Sequence, residues 1–437
     1  MIRVEDLKRS PEIEAAGWGN AAALVDARGL TIHGWAFGAK RTATAVEVRS
    51  QGEVLVQMPI GIERPDVAER FGSLSAARYS GFMATLRPTT AGASSIDLRV
   101  VFDDGSSLAL GSVEAEAEAE DVVEPGRDGN GGWVFFQSPS ELSRVLVGRQ
   151  GWLFLRGDHN DANGQHTGRV RFGDQDRRAL ARLLETRAAL AREAGTTWLT
   201  AIVPDKEMLY PEHLPAEIVP VEHRPVHDFL AIAERASAPA TYLLGALQEA
   251  KQAGDLYLRT DTHWNYRGAY FAHCAICAEL RRLGVEVDAV EEDSIEWWED
   301  PFEGDLGGKL PHPSGSVDLK ATLARSWGRR VYDNAIRNHG RVMIHEQDRV
   351  KSPSCLVFGE SFAETLLYFL KESFGRVVFV HTSMFIRELV DIERPDVVLS
   401  LPIERFLIKV PDDVDALSRL AETAQEKGGE LPWAAKG

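Results

Sequence analysis

From residue 29 to 112 the chain alternates apolar and polar positions in short runs separated by turn residues. "AVEVRSQGEVLVQ" holds two such runs about Gln51-Gly52, and "SIDLRVVFDDGSSLALG" repeats the device about Asp104-Gly105. Alternation with period two half-buries a strand, and a polar-Gly pair between two runs turns a hairpin. Short strands at this spacing predict a small β-sandwich over 29–112, preceded by an N-terminal segment (1–28). Further along, the period changes. "DQDRRALARLLETRAALAREAG" (174–195) carries apolar residues at helical spacing and ends on Gly195, a good C-cap. "TTWLTAIVP" follows as a buried strand. "NYRGAYFAHCAICAELRRLG" (265–284) predicts a second helix, with Asn265 as N-cap and Gly284 as its stop. Then come the strand "CLVFG", the helix "SFAETLLYFLKESFG", the strand "RVVFV" and the strand "DVVLSL" before Pro402. Strands alternating with helices predict an α/β domain over 131–437, its mostly parallel sheet covered by helices on both faces. Binding sites in such sheets lie at the carboxyl ends of the strands.

Length and composition agree with two domains: 437 residues, 44% apolar and 26% charged. No apolar run approaches the ~20 residues that span a bilayer. The opening "MIRVEDLKRSPEIEAAG" lacks the apolar core of a secretory signal, so the expectation is a cytoplasmic protein. A formal charge of −17 argues against nucleic acid as a partner. Part of that charge is local: Glu114 to Asp128 holds seven acids against one arginine, which reads as an acidic linker over 113–130. Trp35 and Phe37 are read as core aromatics rather than a sugar platform.

The stretch with the most chemistry is "CLVFGESFAETLL". A buried strand runs into Gly359, and a helix begins at once through Glu360 and Ser361. A serine there sits at the carboxyl edge of the sheet, where free N–H groups and the helix dipole can stabilise an oxyanion. A plain serine N-cap would have the same sequence. A serine hydroxyl needs a base, and the base needs an orienting acid. "DTHWN" (261–265) supplies both, since residues two apart in an extended segment point the same way, and "GDLYLRT" before it reads as a strand end. The assignment is Ser361 as nucleophile, His263 as general base and then acid, and Asp261 as orienter; the chain order of a triad is free. A metal reading of Asp261-x-His263 lacks further ligands close by in the sequence. "HCAIC" (Cys274, Cys277) lacks the second ligand pair of a zinc site, so no metal is expected. Gly359 and Glu360 are secondary candidates for oxyanion or substrate binding. Lys206 and Lys309 are candidates for substrate contact, against surface or structural roles for either alone; Arg259 is a candidate for substrate binding or for organising the loop by pairing with a carboxylate. Glu404 and Arg405 are read as a structural ion pair, and Trp152 and Phe154 as core.

"GRQGWLFLRGDHN", "VPDKEMLYPEHLP", "RTDTHWNYRGAY", "GDLGGKL", "FGESFAETLL" and "RPDVVLSLPIERFL" stand in the chain in that order. Together they resemble the motifs of the alginate O-acetyltransferase-like family of SGNH-hydrolase-fold proteins, from about Gly148 to Pro411. The resemblance implies an SGNH-like three-layer α/β/α domain that transfers acetyl groups to hydroxyls of bacterial exopolysaccharides. It also implies that Asp261, His263 and Ser361 carry the transfer. The family's usual Gly-Asp-Ser block reads Gly359-Glu360-Ser361 here. Relatives are mostly periplasmic or anchored, and often receive acetyl groups through a membrane-bound acyltransferase partner. The sandwich and linker lie outside the resemblance.

The leading expectation is therefore an O-acetyltransferase working through an acetyl-serine on a glycan or polysaccharide acceptor. An esterase or deacetylase with the same triad is the second reading. A non-catalytic glycan-binding or scaffold protein of exopolysaccharide biosynthesis is the third. No phosphate-binding or dinucleotide motif is present, so no cofactor is expected and the acetyl donor stays open.

Overall fold

Gln51 and Gly52 adopt φ of 51° and 85°, the left-handed pair that a tight hairpin turn requires, and join strand Ala43–Ser50 to strand Glu53–Pro59. Gly105 (φ 77°) serves the same end between Gly92–Phe102 and Ser107–Ala117. The computed structural model describes residues 2–433 except 6–7, 12–16, 27–28, 39, 61–63, 72–74, 79, 123–131, 136–144, 149–150, 157, 215–217, 310–314 and 349–351. Among the described residues, the first part of the chain forms a six-stranded and a four-stranded sheet. Val46, Val48, Leu98 and Val100 of one share a buried cluster with Leu30, Ile32, Ala84 and Leu86 of the other. Trp35 and Phe37 are buried under the helix Pro65–Phe71, against Val67 and Phe71.

The strands reach beyond the range read from sequence. Arg3–Val4 and Lys8–Arg9 pair with Ser107–Ala117, and Gly17–Asp26 pairs with Gly29–Gly38. Two-residue strands carry too little periodicity to be seen. Trp133–Phe135, past the expected boundary at 131, pairs with Gly81–Pro88. The acidic run also begins inside a strand: Ala115 and Ala117 are buried while Glu116 is exposed. Glu-Ala-Glu-Ala is itself a period-two pattern, with alanine as the inward residue, so charge hid a strand.

In the second part, again among the described residues, seven strands form one sheet. Their order is Ala240–Tyr242, Thr197–Ile202, Val397–Leu401, Ser354–Gly359, Arg376–His381, Val342–Glu346, Arg329–Asp333. The first five run parallel; Val342–Glu346 is antiparallel to both its neighbours, Arg376–His381 and Arg329–Asp333. Along Ser354–Gly359, Leu356 and Phe358 pack with Leu180 and Leu184 of helix Asp174–Ala194. Val357 packs with Ile276 of helix Tyr266–Arg282 and Leu366 of helix Phe362–Ser373. Both faces are buried, which is why these strands read as unbroken apolar runs. The three-layer α/β/α expectation is met. The final antiparallel strands and the hairpin Ile295–Glu303/Gly315–Leu323 were not foreseen, because charged residues interrupt their alternation. "GDLYLRT" is not a sheet strand; it makes only the isolated bridge Tyr257–Trp264.

Buried polar groups gather at the carboxyl edge of this sheet. Glu404 and Arg405 are structural, but they do not pair with each other. Arg224 donates to Glu404 at 2.8 Å, Tyr242 donates to it at 2.6 Å, and Arg405 pairs with Asp205 at 2.5 Å. Replacing Glu404 with alanine strands a buried guanidinium, and urea unfolding is expected to show a loss of about 3–5 kcal/mol.

Candidate active site

Ser361 stands at the N-cap position of helix Phe362–Ser373, yet its φ and ψ (−55°, −29°) are helical and its hydroxyl caps nothing. The hydroxyl instead lies 2.7 Å from Nε2 of His263. Gly359, just before it, is tightly enclosed: a Cβ there would sit 3.1 Å from Cβ of Leu401 and 3.4 Å from that of Ala363. A larger residue would push the helix, and with it the serine, off the strand end.

The acid and imidazole come from a tight loop. Leu258 N–H donates to the His263 carbonyl at 3.0 Å, closing residues 258–263 into a turn. Asp261 Oδ1 accepts both the backbone N–H of His263 (2.9 Å) and its ring Nδ1 (2.6 Å). Asp261 Oδ2 accepts the N–H of Asp305 at 2.7 Å. Trp264, fully buried, donates its indole N–H to the carbonyl of Phe362 at 3.1 Å, tying the loop to the first turn of the serine's helix. Asn265 then caps helix Tyr266–Arg282 by accepting from Gly268 N–H. "DTHWN" is thus a turn, an imidazole hydrogen-bonded to a carboxylate, a cross-link and a helix cap in five residues.

Asp261 is only 5% exposed. Burial raises its pKa, but the His263 contact and the two N–H donors outweigh this and hold the carboxyl well below the usual range. A depressed carboxyl stabilises the fold above its unfolded value of about 4, and that contribution is lost only as pH falls through the lower folded value. Asp261 is therefore an anion wherever the protein works.

Asp305 was missed in the sequence. Its carboxylate accepts Thr262 N–H (2.8 Å) and Thr262 Oγ1–H (2.9 Å), and the Thr260 carbonyl accepts Leu306 and Gly307 N–H. The signal was Gly304 in "GDLGGKL": a Cβ there would lie 2.0 Å from the Thr260 carbonyl oxygen. Asp261, His263 and Asp305 are close enough to suggest a cation site. Their hydrogen bonds argue otherwise, since one imidazole nitrogen faces Asp261 and the other Ser361. At Cys277 burial pushes the thiol up to about 12, and His273 Nε2 already takes the Val290 N–H, a poor donor set for zinc.

The secondary candidates divide. Lys206 is 2% exposed and its ammonium is spent on backbone carbonyls, so substrate contact is ruled out by burial. Lys309 hydrogen-bonds the Asp305 carbonyl beside the loop. Arg259 pairs with Asp255 at 3.0 Å, an exposed pair that organises the loop's approach. The Glu360 carboxylate engages His381 Nε2 at 3.0 Å. Gly359 and Glu360 also line a cavity of about 310 Å³ with Phe358, Thr382, Leu401 and Phe406; the three triad side chains do not line it.

Residues 145–383, more than half of the chain, match the family model described as SGNH hydrolase-like domain, acetyltransferase AlgX. The chain belongs to this family. Among curated relatives, the "Probable alginate O-acetylase AlgJ" of Pseudomonas aeruginosa is 35% identical over 170 residues, 38% of this chain and 41% of that protein. The protein of that name from Pseudomonas syringae pv. tomato is 34% identical over 172 residues, with the same coverage. The chain thus spans about two fifths of the length of the curated relatives it matches. Of solved structures, the O-acetyltransferase domain of Pseudomonas putida AlgJ covers 64% of this chain and 99% of its own, at 20% identity and TM-score 0.44. Bacillus cereus PatB1 covers 62% and 98%, at 15% identity and TM-score 0.46. Among the described residues, no helix is long and apolar enough to cross a membrane.

Gly304→Ala tests the loop's support. The added methyl forces Thr260 away, and activity is expected to fall on the order of a hundredfold with little change in far-UV circular dichroism.

Proposed function

We propose that this chain is an O-acetyltransferase that moves an acetyl group through an acetyl-Ser361 to a hydroxyl of a bacterial glycan or polysaccharide. The observation that carries the reading is the hydroxyl at 2.7 Å from Nε2 of His263, with Asp261 on the other ring nitrogen and no capping bond competing for the serine. In the first half-reaction, His263 takes the Ser361 proton as Oγ attacks the acetyl carbonyl, and returns it to the leaving group of the donor. In the second, His263 takes the proton of the acceptor hydroxyl as its oxygen attacks the acetyl carbon, and returns that proton to Ser361 Oγ as the acyl–Oγ bond breaks. At the start of helix Phe362–Ser373 the N–H groups of Ala363 and Glu364 are taken by the carbonyls of Glu360 and Ser361, so the positive end of the helix dipole is what would favour the oxyanion there. We assign the acceptor to the glycan class from the family membership and the names of the relatives. Its donor would be a membrane-bound acyltransferase partner or a soluble acetyl thioester.

An esterase is the second reading, favoured by one observation: the His263 side chain is 27% exposed, so water has access to the base. Incubation with a chromogenic acetyl ester, with and without an oligosaccharide acceptor, separates the two by mass spectrometry. An acetylated oligosaccharide supports transfer; release of free acetate alone supports hydrolysis and overturns it.

Ser361→Ala is expected to lower turnover by ~10⁴-fold or more with the fold intact, since the hydroxyl caps no helix and its loss leaves the helix start unchanged. Asp261→Asn is expected to cost on the order of 10⁴ by favouring the wrong imidazole tautomer. Wild-type turnover in Ser361→Ala would reduce the serine to a bystander.

A further inference from the structure

Lys206 follows strand Thr197–Ile202 at the start of the short helix Lys206–Leu209, and its ammonium is buried at the base of the Asp261–His263 loop. It donates to the carbonyls of Leu258 (3.0 Å), Arg259 (3.2 Å) and Asp261 (2.6 Å). An ammonium has three N–H donors and no acceptor, so these three carbonyls exhaust it. The shortest of the three bonds is to the residue that orients the imidazole.

A fully buried ammonium is costly unless it is paired. Among the described residues Lys206 has no carboxylate within hydrogen-bonding distance; its partners are carbonyl dipoles and the rings of Trp152 and Phe154, whose centroids lie 5.6 and 5.2 Å away. A stem that only filled space here would be better apolar. The backbone it grips is not part of the sheet, so separate bonds hold it in place of a strand ladder. Leu153 N–H donates to the Arg259 carbonyl (2.8 Å), Leu306 and Gly307 N–H donate to the Thr260 carbonyl, and the Tyr210 hydroxyl accepts Leu256 N–H (2.7 Å); among the described residues, Lys206 alone joins the carbonyls of Leu258, Arg259 and Asp261 at one point.

We propose that Lys206 is a positioning residue for acyl transfer: its ammonium clamps the Leu258–Asp261 backbone so that the Asp261 carboxylate and His263 ring stay in line with the Ser361 hydroxyl. This rests on the acyl-transfer reading above. The clamp depends on all three protons. Burial pushes the Lys206 pKa down to about 8, against the opposing pull of Glu207, Asp261 and Asp305, the carboxylates that face it. Among the cations around it, the Arg259 guanidinium lies 5.8 Å from the same Trp152 ring, Lys309 bonds the Asp305 carbonyl, and Arg405 pairs with Asp205. Above that pH a neutral amine keeps two donors for three carbonyls, and the loop slackens. Activity therefore has an alkaline limb that belongs to Lys206, and a guanidinium in its place removes that limb.

The test compares the full-length wild type with Lys206→Met, Lys206→Arg and Lys206→Gln on a chromogenic acetyl ester. It also follows the downfield proton resonance of the His263 Nδ1–H to Asp261 hydrogen bond. Lys206→Met is expected to lower kcat on the order of a hundredfold with KM near wild type, and to lose or broaden the resonance. Lys206→Arg is expected to recover part of kcat and to keep it through the pH range where wild type declines. A folded Lys206→Met with wild-type kcat and an unchanged resonance overturns the proposal. If Lys206→Met fails to fold, Lys206→Gln, which retains two donors, is read in its place by the same criteria. A wild type with no ester turnover defeats the acyl-transfer reading alone; the resonance in wild type against variant still decides whether Lys206 positions the pair.

Discussion

A buried carboxylate that must stay ionised constrains everything around it. Asp261 meets that demand through Oδ1, which takes two donors from His263, and Oδ2, which takes the Asp305 N–H. Each donor comes from a segment with its own anchor. His263 is fixed by its neighbour Trp264, which reaches the helix of Ser361. Asp305 is fixed by its return bonds to Thr262 and by the close approach of Gly304 to Thr260. Remove the anion, and the imidazole loses its tautomer while the 304–307 turn loses its seat. Ser361 is thus held from two sides, by its own strand–helix junction and by a loop whose geometry the Asp261 charge defines.

The parts of this arrangement that were legible from sequence share a feature: each is a local pattern. The strand–Gly–Glu–Ser–helix junction is visible because a doubly buried strand is an apolar run and a helix follows at once. Asp261 and His263 are visible because their two-residue spacing is enough to bring the side chains together. Asn265 is visible because it precedes a helical period. What was hidden depends on contacts between distant segments. Asp305 supplies its decisive donor from the backbone, where residue type says nothing. Lys206 was noticed for its charge and read as a possible substrate contact or an ordinary surface or structural lysine; its true acceptors are carbonyls, which a sequence cannot display. The strand at Glu114–Ala117 was hidden by the opposite error, a charge count that masked period-two alternation.

The carboxyl edge of the parallel sheet collects nearly all of this chemistry. Strand Thr197–Ile202 delivers Asp205 and Lys206, Ser354–Gly359 delivers Glu360 and Ser361, Arg376–His381 delivers His381, and Val397–Leu401 delivers Glu404 and Arg405. Parallel strands all end on one side, so the polar residues after them are brought together by topology alone. The result is a layer of buried ion pairs beside the triad. The Arg224–Glu404 and Arg405–Asp205 pairs make that floor stiff, because no member can leave without stranding a charge.

Two features of the site run against local stability. A serine at a helix start can cap it, a contribution of about 1 kcal/mol, yet the Ser361 hydroxyl is withheld from the helix and given to His263. A lysine at the base of a loop can reach solvent, yet the Lys206 ammonium is sealed beneath the loop and turned on three carbonyls. A sequence tuned only for folding would resolve both conflicts, with an outward cap and an apolar stem. Both conflicts instead converge on one line of atoms, from the Lys206 ammonium through Asp261 and His263 to Ser361. Such rule-breaking is concentrated where a protein does chemistry. Because the cost is shared between the helix end and the loop, the rest of the domain, with its sheet buried on both faces, has the reserve to carry it.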